Sequence, residues 1–497
     1  MQRTIVIGGG IAGLATALRI RDRARDLPGG LDLRVLEAGP RPGGNLRTDR
    51  CDGFTVERGP NGFLDNVPAM ARLVERLGLT SELQKADENA SQRFLFRSGR
   101  LHQLPGGPIG FLASPVLSLP GRLRVFFEPF ARKRPEGVDE TVHDFASRRI
   151  GSEAAEVLVD AMVSGVFAGD TRNLSLASAF PKMAAMEAEH GSLVRAMLAR
   201  GRERRRARRQ ATRLEAAGES AAELTRPGGP AGPGGTLTSF RSGLETLVRG
   251  LAESLDGAVE VDAGPRALAY NPDRAPAWTV TGASGERLEA DAVVVAVPGA
   301  RAEPLLTPID AGLGAAVGGV ATAGLAVVAL GFDARSIGGA PAGFGFLVPR
   351  SQGPRSLGCL WDSNIFPGRA PEGAVLLRVM IGGAHDPQAV ELSDAELVAI
   401  VRQDLATTMG LAAEPALTRI FRHPAGIPQY EPGHQARLDR IADRIAELPG
   451  LWVAGSSFHG IAMNACVETA ERQAEEVHAF LAGAISAGKR ATARPRP

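Results

Sequence analysis

The chain opens on residues 1–7, whose apolar end Ile5-Val6-Ile7 predicts a short buried strand. Gly8-Gly9-Gly10-Ile11-Ala12-Gly13 follows, and residues 14–21 take up helical spacing. A second apolar run, 33–36, ends in Glu37. Far downstream, residues 288–298 show a polar lead-in and then a buried-strand pattern. Residues 451–454 form a further strand closed by Gly455, and 464–481 return to helical periodicity. The pieces of one nucleotide-type sheet are therefore widely separated, and the insertions between them must build other domains. Residues 141–168 are helical in pattern. Residues 104–130 are apolar but interrupted by Pro105, Pro108, Pro115 and Pro120. Proline removes a helical hydrogen bond and clashes with the preceding turn, so this is no single spanning helix. It reads either as a surface that dips into one leaflet of a bilayer or as the apolar wall of a substrate cavity.

The opening unit is strand, glycine loop, helix, strand, acid, which is the arrangement that binds a dinucleotide. Gly8 permits the tight turn, Gly10 lets the backbone approach a pyrophosphate, and Gly13 lets the helix pack on the strand. The helix N-terminus offers free N–H groups and the positive end of its dipole to phosphates. Glu37 is placed to accept from ribose hydroxyls, and an acid there disfavours a 2′-phosphate, so NADP is not expected. Arg41-Pro42-Gly43-Gly44 comes directly after. The pattern E-x-x-x-R-x-G-G is typical of FAD enzymes rather than NAD dehydrogenases.

At 497 residues the chain is long enough for two or three domains, and 44% hydrophobic residues can fill their cores. A net charge of +2 implies no global nucleic-acid surface. Cys51, Cys359 and Cys466 are odd in number and far apart, which gives no disulfide framework and no metal spacing. A reducing compartment and no metal are expected. The first strand begins almost at residue 1, so no signal peptide is expected, and no uninterrupted apolar run is long enough to span a bilayer. Arg200, Arg202, Arg204, Arg205, Arg206, Arg208, Arg209 and Arg213 fall within fourteen residues. They read either as a solvated helix end or as a contact for anionic lipid. Residues 214–235 are rich in Gly, Pro, Ala and Glu, as expected of a flexible linker, and a disordered tail is expected at 486–497.

No Ser-His-Asp set and no His-Cys cluster stands out, which fits a cofactor that carries the hard step itself. Several motifs in order along nearly the whole chain resemble one family, the oxygen-dependent porphyrinogen oxidases. They are Glu57-Arg58-Gly59-Pro60-Asn61-Gly62-Phe63; Arg93-Phe94-Leu95-Phe96 with Leu104-Pro105; Ser164-Gly165-Val166-Phe167-Ala168-Gly169-Asp170; Gly343 to Pro349; Gly426-Ile427-Pro428-Gln429-Tyr430; and Gly455 to Cys466. The resemblance implies that Arg93 pairs with a substrate propionate and that Gly165 brings a backbone carbonyl to pyrrole N–H groups. It implies that Phe344 and Leu347 line the macrocycle pocket, with Leu360 and Met380 sandwiching the rings. For FAD it implies Gly8, Gly9, Gly10, Ile11, Ala12, Gly13, Glu37, Ala38, Gly44, Asn45, Gly59, Pro60, Asn61 and Gly62. It adds Pro265 by the adenine, His423 near the flavin, and Ile461, Ala462 and Met463 by the pyrimidine edge. The chain departs from the family at Ser456 to His459, at Ala465, and at Pro265, which has no N–H to donate.

The expected architecture is α/β, with a discontinuous Rossmann-type FAD-binding domain (1–70, 236–300, 425–485). An α+β substrate domain on a mixed sheet (71–94, 301–424) and a helical membrane-facing domain (95–205) complete it. The expected reaction is the six-electron oxidation of protoporphyrinogen IX to protoporphyrin IX in three two-electron steps. Each step passes a hydride to flavin N5, and O2 is the final acceptor, giving H2O2. Coproporphyrinogen III is the runner-up substrate. An amine oxidase or carotenoid desaturase would share the FAD domain, and a non-enzymatic binding protein on the same fold is the rival from another class. The expected partners are a porphyrinogen, O2 and a membrane surface, without nucleic acid; a homodimer is compatible. The expected location is cytoplasmic, peripheral to the membrane.

Overall fold

The computed structural model describes residues 1–27, 29–105, 108–134, 137–202, 206 and 235–483. The expected linker (but for Gly235), the expected tail and most of the arginine cluster lie outside these residues.

A five-stranded parallel sheet runs in the order Val259–Glu260, Leu31–Leu36, Gln2–Ile7, Ala292–Val295, Leu451–Val453. Its strands come from three separated parts of the sequence, as the apolar runs require. The central strands are buried on both faces, as parallel sheets are. Val6 and Val294 face one core, with the helices Ile11–Arg23, Pro68–Arg76, Glu245–Ser254 and Met463–Leu481. Ile5, Ile7, Val293 and Val295 face the other, under a three-stranded sheet and the helices Gly299–Leu306, Ala311–Gly318 and His434–Ala446.

The second large sheet has seven strands, ordered Leu417–Pro428, Thr322–Asp333, Ala374–Gly382, Ser356–Leu360, Gly345–Leu347, Arg93–Arg97, Arg100–Gln103. It is mixed, because only Gly345–Leu347 and Arg93–Arg97 pair in parallel. One face carries Phe96, Phe346, Cys359, Val379 and Val328 and is sealed by the helix Asp394–Met409 through Leu397, Val401 and Leu405. The strand Arg93–Arg97 spans the expected boundary at 94–95, and Leu417–Pro428 spans the one at 424–425. Ladder hydrogen bonds to their neighbours, rather than a pattern of their own, place both in this sheet.

Residues 104–130 form the short helices Pro108–Ala113 and Leu119–Phe126 and a 3-10 turn, Glu128–Phe130. No helix among the described residues is long and apolar enough to cross a membrane. The helical pattern of 141–168 is interrupted at Gly151 (φ 95°), which ends Val142–Ile150. A π-helical turn, Ala155–Val159, then leads into Asp160–Phe167.

Candidate active site

The nucleotide groove opens at the C-terminal ends of the parallel strands. Gly8 turns with φ 110°, and its amide donates to the Leu36 carbonyl at 2.8 Å. A Cβ on Gly13 would collide with the Gly8 carbonyl oxygen, so glycine is required for this helix–loop approach. At Gly10 nothing lies within 4 Å of a Cβ position: the space in front of the helix is open. Gly10 is the N-cap of Ile11–Arg23 and supplies no side-chain cap, which leaves the first N–H groups for a ligand. The Glu37 carboxylate accepts from the Gly9 amide at 2.7 Å and the Gly39 amide at 2.8 Å. Each oxygen keeps lone pairs for vicinal hydroxyls. These features fit the ADP half of FAD.

The other expected contacts gather around this loop. The Gly43 amide donates to the Gly9 carbonyl at 2.8 Å, and a Gly44 Cβ would lie 3.5 Å from Gly10 Cα. Gly59 packs on the Asn45 carbonyl and Gly62 on the Thr238 carbonyl. Gly264 packs on Ala38, and the Ala263 amide donates to the Glu37 carbonyl at 2.8 Å. Pro265 therefore follows a segment laid against the acid, with Ala263 rather than Pro265 supplying the N–H there. A Gly455 Cβ would lie 3.9 Å from Ala12 Cβ, which brings the loop leading to Ile461 and Ala462 beside the first helix. Ala462 caps Met463–Leu481 without a side-chain bond, and Asn464 ties that helix to the Leu64 carbonyl at 2.9 Å.

Next to these loops lies the second face of the mixed sheet. Registry places Arg93, Gly345, Leu360 and Arg378 in one row across the strands and Leu95, Leu347, Gly358 and Met380 in the next. Within strands of otherwise buried residues, Leu347, Leu360 and Met380 are only half-buried. They define an apolar wall. Gly165 faces it: a Cβ there would run into the Leu347 side chain at 2.6 Å. Its helix ends at Phe167 with Ala168 left-handed (φ 46°), so its last carbonyls run out of helical N–H donors. Arg93 lies at the rim, exposed, with its guanidinium 5.0 Å from the centre of the Phe344 ring. It has no carboxylate partner among the described residues.

Arg47, Arg369, Arg378, Asp362 and the cluster of Asp160, Asp170 and His385 escaped the sequence reading, whereas His423 and the Gln429-Tyr430 motif were named there. Arg47 has a buried Nε without a partner, and burial first, then the charges of Arg41 and Arg58, lower its guanidinium below the ordinary value. An arginine in that state suits a diphosphate beside Gly43 and Gly44; the signal was its place just after the glycine pair. Beneath the loop 57–62 lie two buried ion pairs, Glu57–Arg369 at 2.8 Å and Asp362–Arg378 at 3.1 Å. Asn61 donates to Asp362 at 3.1 Å. His423 donates from Nε2 to the Arg58 carbonyl at 2.8 Å; burial, then Arg378 and Arg58, lower its pKa and keep it neutral near neutral pH. The motif ending in Gln429-Tyr430 has a mechanical meaning. Gln429 donates to the Phe167 carbonyl at 2.9 Å, and the Tyr430 hydroxyl donates to the Ser456 carbonyl and accepts from the Gly460 amide at 2.8 Å. One segment thus ties down both the Gly165 helix end and the closing flavin loop. Asp160, Asp170 and His385 cluster closely enough to suggest a metal, which the sequence did not predict. Arg350 already sits there, 2.6 Å from His385 Nδ1 and 3.4 Å from Asp170.

The family model for flavin-containing amine oxidoreductases matches residues 11–478. Protoporphyrinogen oxidase of Bos taurus is 34% identical over 96% of this chain and 98% of its own length. Coproporphyrinogen III oxidase of Bacillus subtilis is 29% identical over 97% of this chain and 98% of its own. A solved structure from Exiguobacterium sp. 255-15, provisionally named a protoporphyrinogen oxidase, superposes with a TM-score of 0.78 at 26% identity. It covers 96% of this chain and 98% of that one. A putrescine oxidase structure, 16% identical with a TM-score of 0.66, shares the fold.

Proposed function

We propose, from the premise that the chain belongs to the flavin-containing amine oxidoreductase family, that it oxidises protoporphyrinogen IX to protoporphyrin IX with O2 as acceptor. The protein is an FAD-dependent oxidoreductase related to porphyrinogen oxidases. Bound FAD supplies the two-electron acceptor. What supports the substrate reading is an apolar wall, half-buried Leu347, Leu360 and Met380 beside Gly165, with the exposed guanidinium of Arg93 on the same rows of the sheet. Apolar walls suit a large macrocycle and exclude water from its carbons. Gly165, without a side chain, leaves its helix-end carbonyl free to accept from pyrrole N–H groups. Arg93 orients the ring by a propionate at one edge. Farther along, Arg350 is held by Asp170 and His385, and Arg355 by Asp386 at 2.9 and 3.0 Å. Those cations are already satisfied, which favours two carboxylates on one edge over four distributed around the ring. The Bacillus subtilis relative keeps coproporphyrinogen III as the second reading. Parallel turnover assays decide between them. Faster oxidation of protoporphyrinogen IX is expected, and a higher kcat/KM for coproporphyrinogen III would reverse the assignment.

The membrane reading has its own support. Leu119, Leu123, Phe126, Phe127 and Phe130 are exposed on one short segment, Phe130 by 78%. Beneath them Glu128 is buried against Arg149, Ser192 and the amides of Leu193 and Val194, which holds the segment to the helical layer. Exposed patches of large apolar residues mark interaction surfaces. Vesicle co-sedimentation is the check: binding to anionic vesicles is expected, weakening with salt as exposed charges are screened beyond about 8–10 Å. Failure to bind at low salt would leave the patch without a lipid role.

A further inference from the structure

We propose that Arg378 and His423 are positioning residues that lock the flavin-facing loop to the substrate-binding sheet, so that cofactor and substrate are held by one rigid body. The inference rests on the reading of Gly59 to Gly62 as flavin contacts. Three consecutive main-chain carbonyls of that loop are taken by side chains of the sheet. Arg378 Nη1 donates to the Glu57 carbonyl at 2.9 Å and to the Gly59 carbonyl at 2.7 Å. His423 Nε2 donates to the carbonyl between them, that of Arg58, at 2.8 Å. A carbonyl can only accept, so this imidazole is fixed in the Nε2–H form. A buried carbonyl left without a donor is costly, so these bonds define the path of the loop.

Arg378 is itself immobilised. Its side chain is 2% exposed, and its Nε lies 3.1 Å from Asp362, which is equally buried and accepts from Asn61 of the same loop. Arg378 and Met380 alternate onto one face of the strand Ala374–Gly382, about 7 Å apart at the usual rise per residue. The strand that contributes Met380 to the apolar wall therefore also carries the guanidinium that sets the loop. His423 does the same from the edge strand Leu417–Pro428. Arg369 offers a matched contrast. It is as buried as Arg378 and pairs with Glu57 Oε1 at 2.8 Å and Ser239 Oγ at 2.8 Å, but bonds to none of these three carbonyls.

The test uses flavin-loaded full-length protein and follows FAD release by flavin fluorescence after dilution, together with the visible flavin spectrum and Tm. Arg378→Lys and Arg369→Lys are both expected to lower Tm, because each weakens a buried ion pair. Only Arg378→Lys is expected to release FAD faster, roughly tenfold, and to alter the flavin spectrum, because the two carbonyls lie at Nη1 and Asp362 at Nε, and the single nitrogen of lysine cannot occupy both places. His423→Gln keeps an N–H for the Arg58 carbonyl and should release FAD near the wild-type rate. His423→Leu leaves that carbonyl unpaired and should release it roughly tenfold faster. Should Arg378→Lys fail to fold, the His423 pair still decides. Equal release from Arg378→Lys and Arg369→Lys, or from His423→Gln and His423→Leu, would overturn the proposal. Wild-type protein purified without flavin would instead refute the cofactor reading beneath it.

Discussion

Gly10→Val is expected to give folded but colourless protein. The position has φ −75° and ψ 177°, which any residue adopts, and a Cβ there meets nothing within 4 Å. Valine therefore costs the polypeptide little. What it fills is the open space in front of the helix N-terminus, where a diphosphate must approach the free N–H groups. Flavin content should fall from near stoichiometric to near zero, with the far-UV circular dichroism unchanged. Stability should fall only by the loss of ligand linkage, about 2.7–4.1 kcal/mol if FAD is normally present at about 100 to 1,000 times its Kd, and Tm should fall accordingly. Gly13→Glu makes the contrast, because its Cβ collides with the Gly8 carbonyl and damages the fold itself. Full flavin occupancy in Gly10→Val would mean that the pyrophosphate lies elsewhere.

Arg93→Ala should cost roughly 10- to 150-fold in kcat/KM, the equivalent of a charge-assisted hydrogen bond of about 1.5–3 kcal/mol. The loss should appear mainly in KM, since a carboxylate remote from the reacting carbons is bound alike in ground and transition states. The guanidinium rests exposed on the Phe344 ring, so desolvation is left for the substrate to complete. Arg93→Lys should recover only part of the loss, because an ammonium cannot form the two-pronged carboxylate contact. Flavin content should be unchanged in both variants. Unaltered kinetics in Arg93→Ala would remove it from the substrate site, and loss of flavin would move it to the cofactor.

The cofactor groove was legible because its chemistry is local. Gly8 to Gly13 and Glu37 lie on one continuous strand–loop–helix–strand unit, where backbone freedom and hydrogen bonding dictate residue type within a few positions. The apolar runs also located the five parallel strands' main members, because strands covered on both faces are continuously hydrophobic. The sequence placed Pro265 by the adenine, but not the fact that the nearby Ala263 amide is spent on the Glu37 carbonyl, since that bond joins segments more than two hundred residues apart.

Leu347, Leu360 and Met380 read in isolation as core residues, and nothing along the chain distinguishes them from Phe346, Cys359 or Val379 one position away. Strand alternation sends the first set into the apolar wall and the second under the helix Asp394–Met409. That choice depends on which strands pair, and pairing joins residues from 93 to 428 through contacts that carry no local signal. The same holds for Arg378, Arg369, Asp362 and Glu57. A buried charge gives no hint along the chain of its counter-ion, and only folding shows that Arg369 meets Glu57 from a distant segment and that Arg378 meets Asp362 of a short helix. Sequence alone determined the cofactor class and its binding unit, because these rest on short-range backbone geometry. The face proposed to receive the substrate and the bonds that join it to the loop 57–62 were decided by tertiary structure, because both arise from long-range registry that burial, not local propensity, selects.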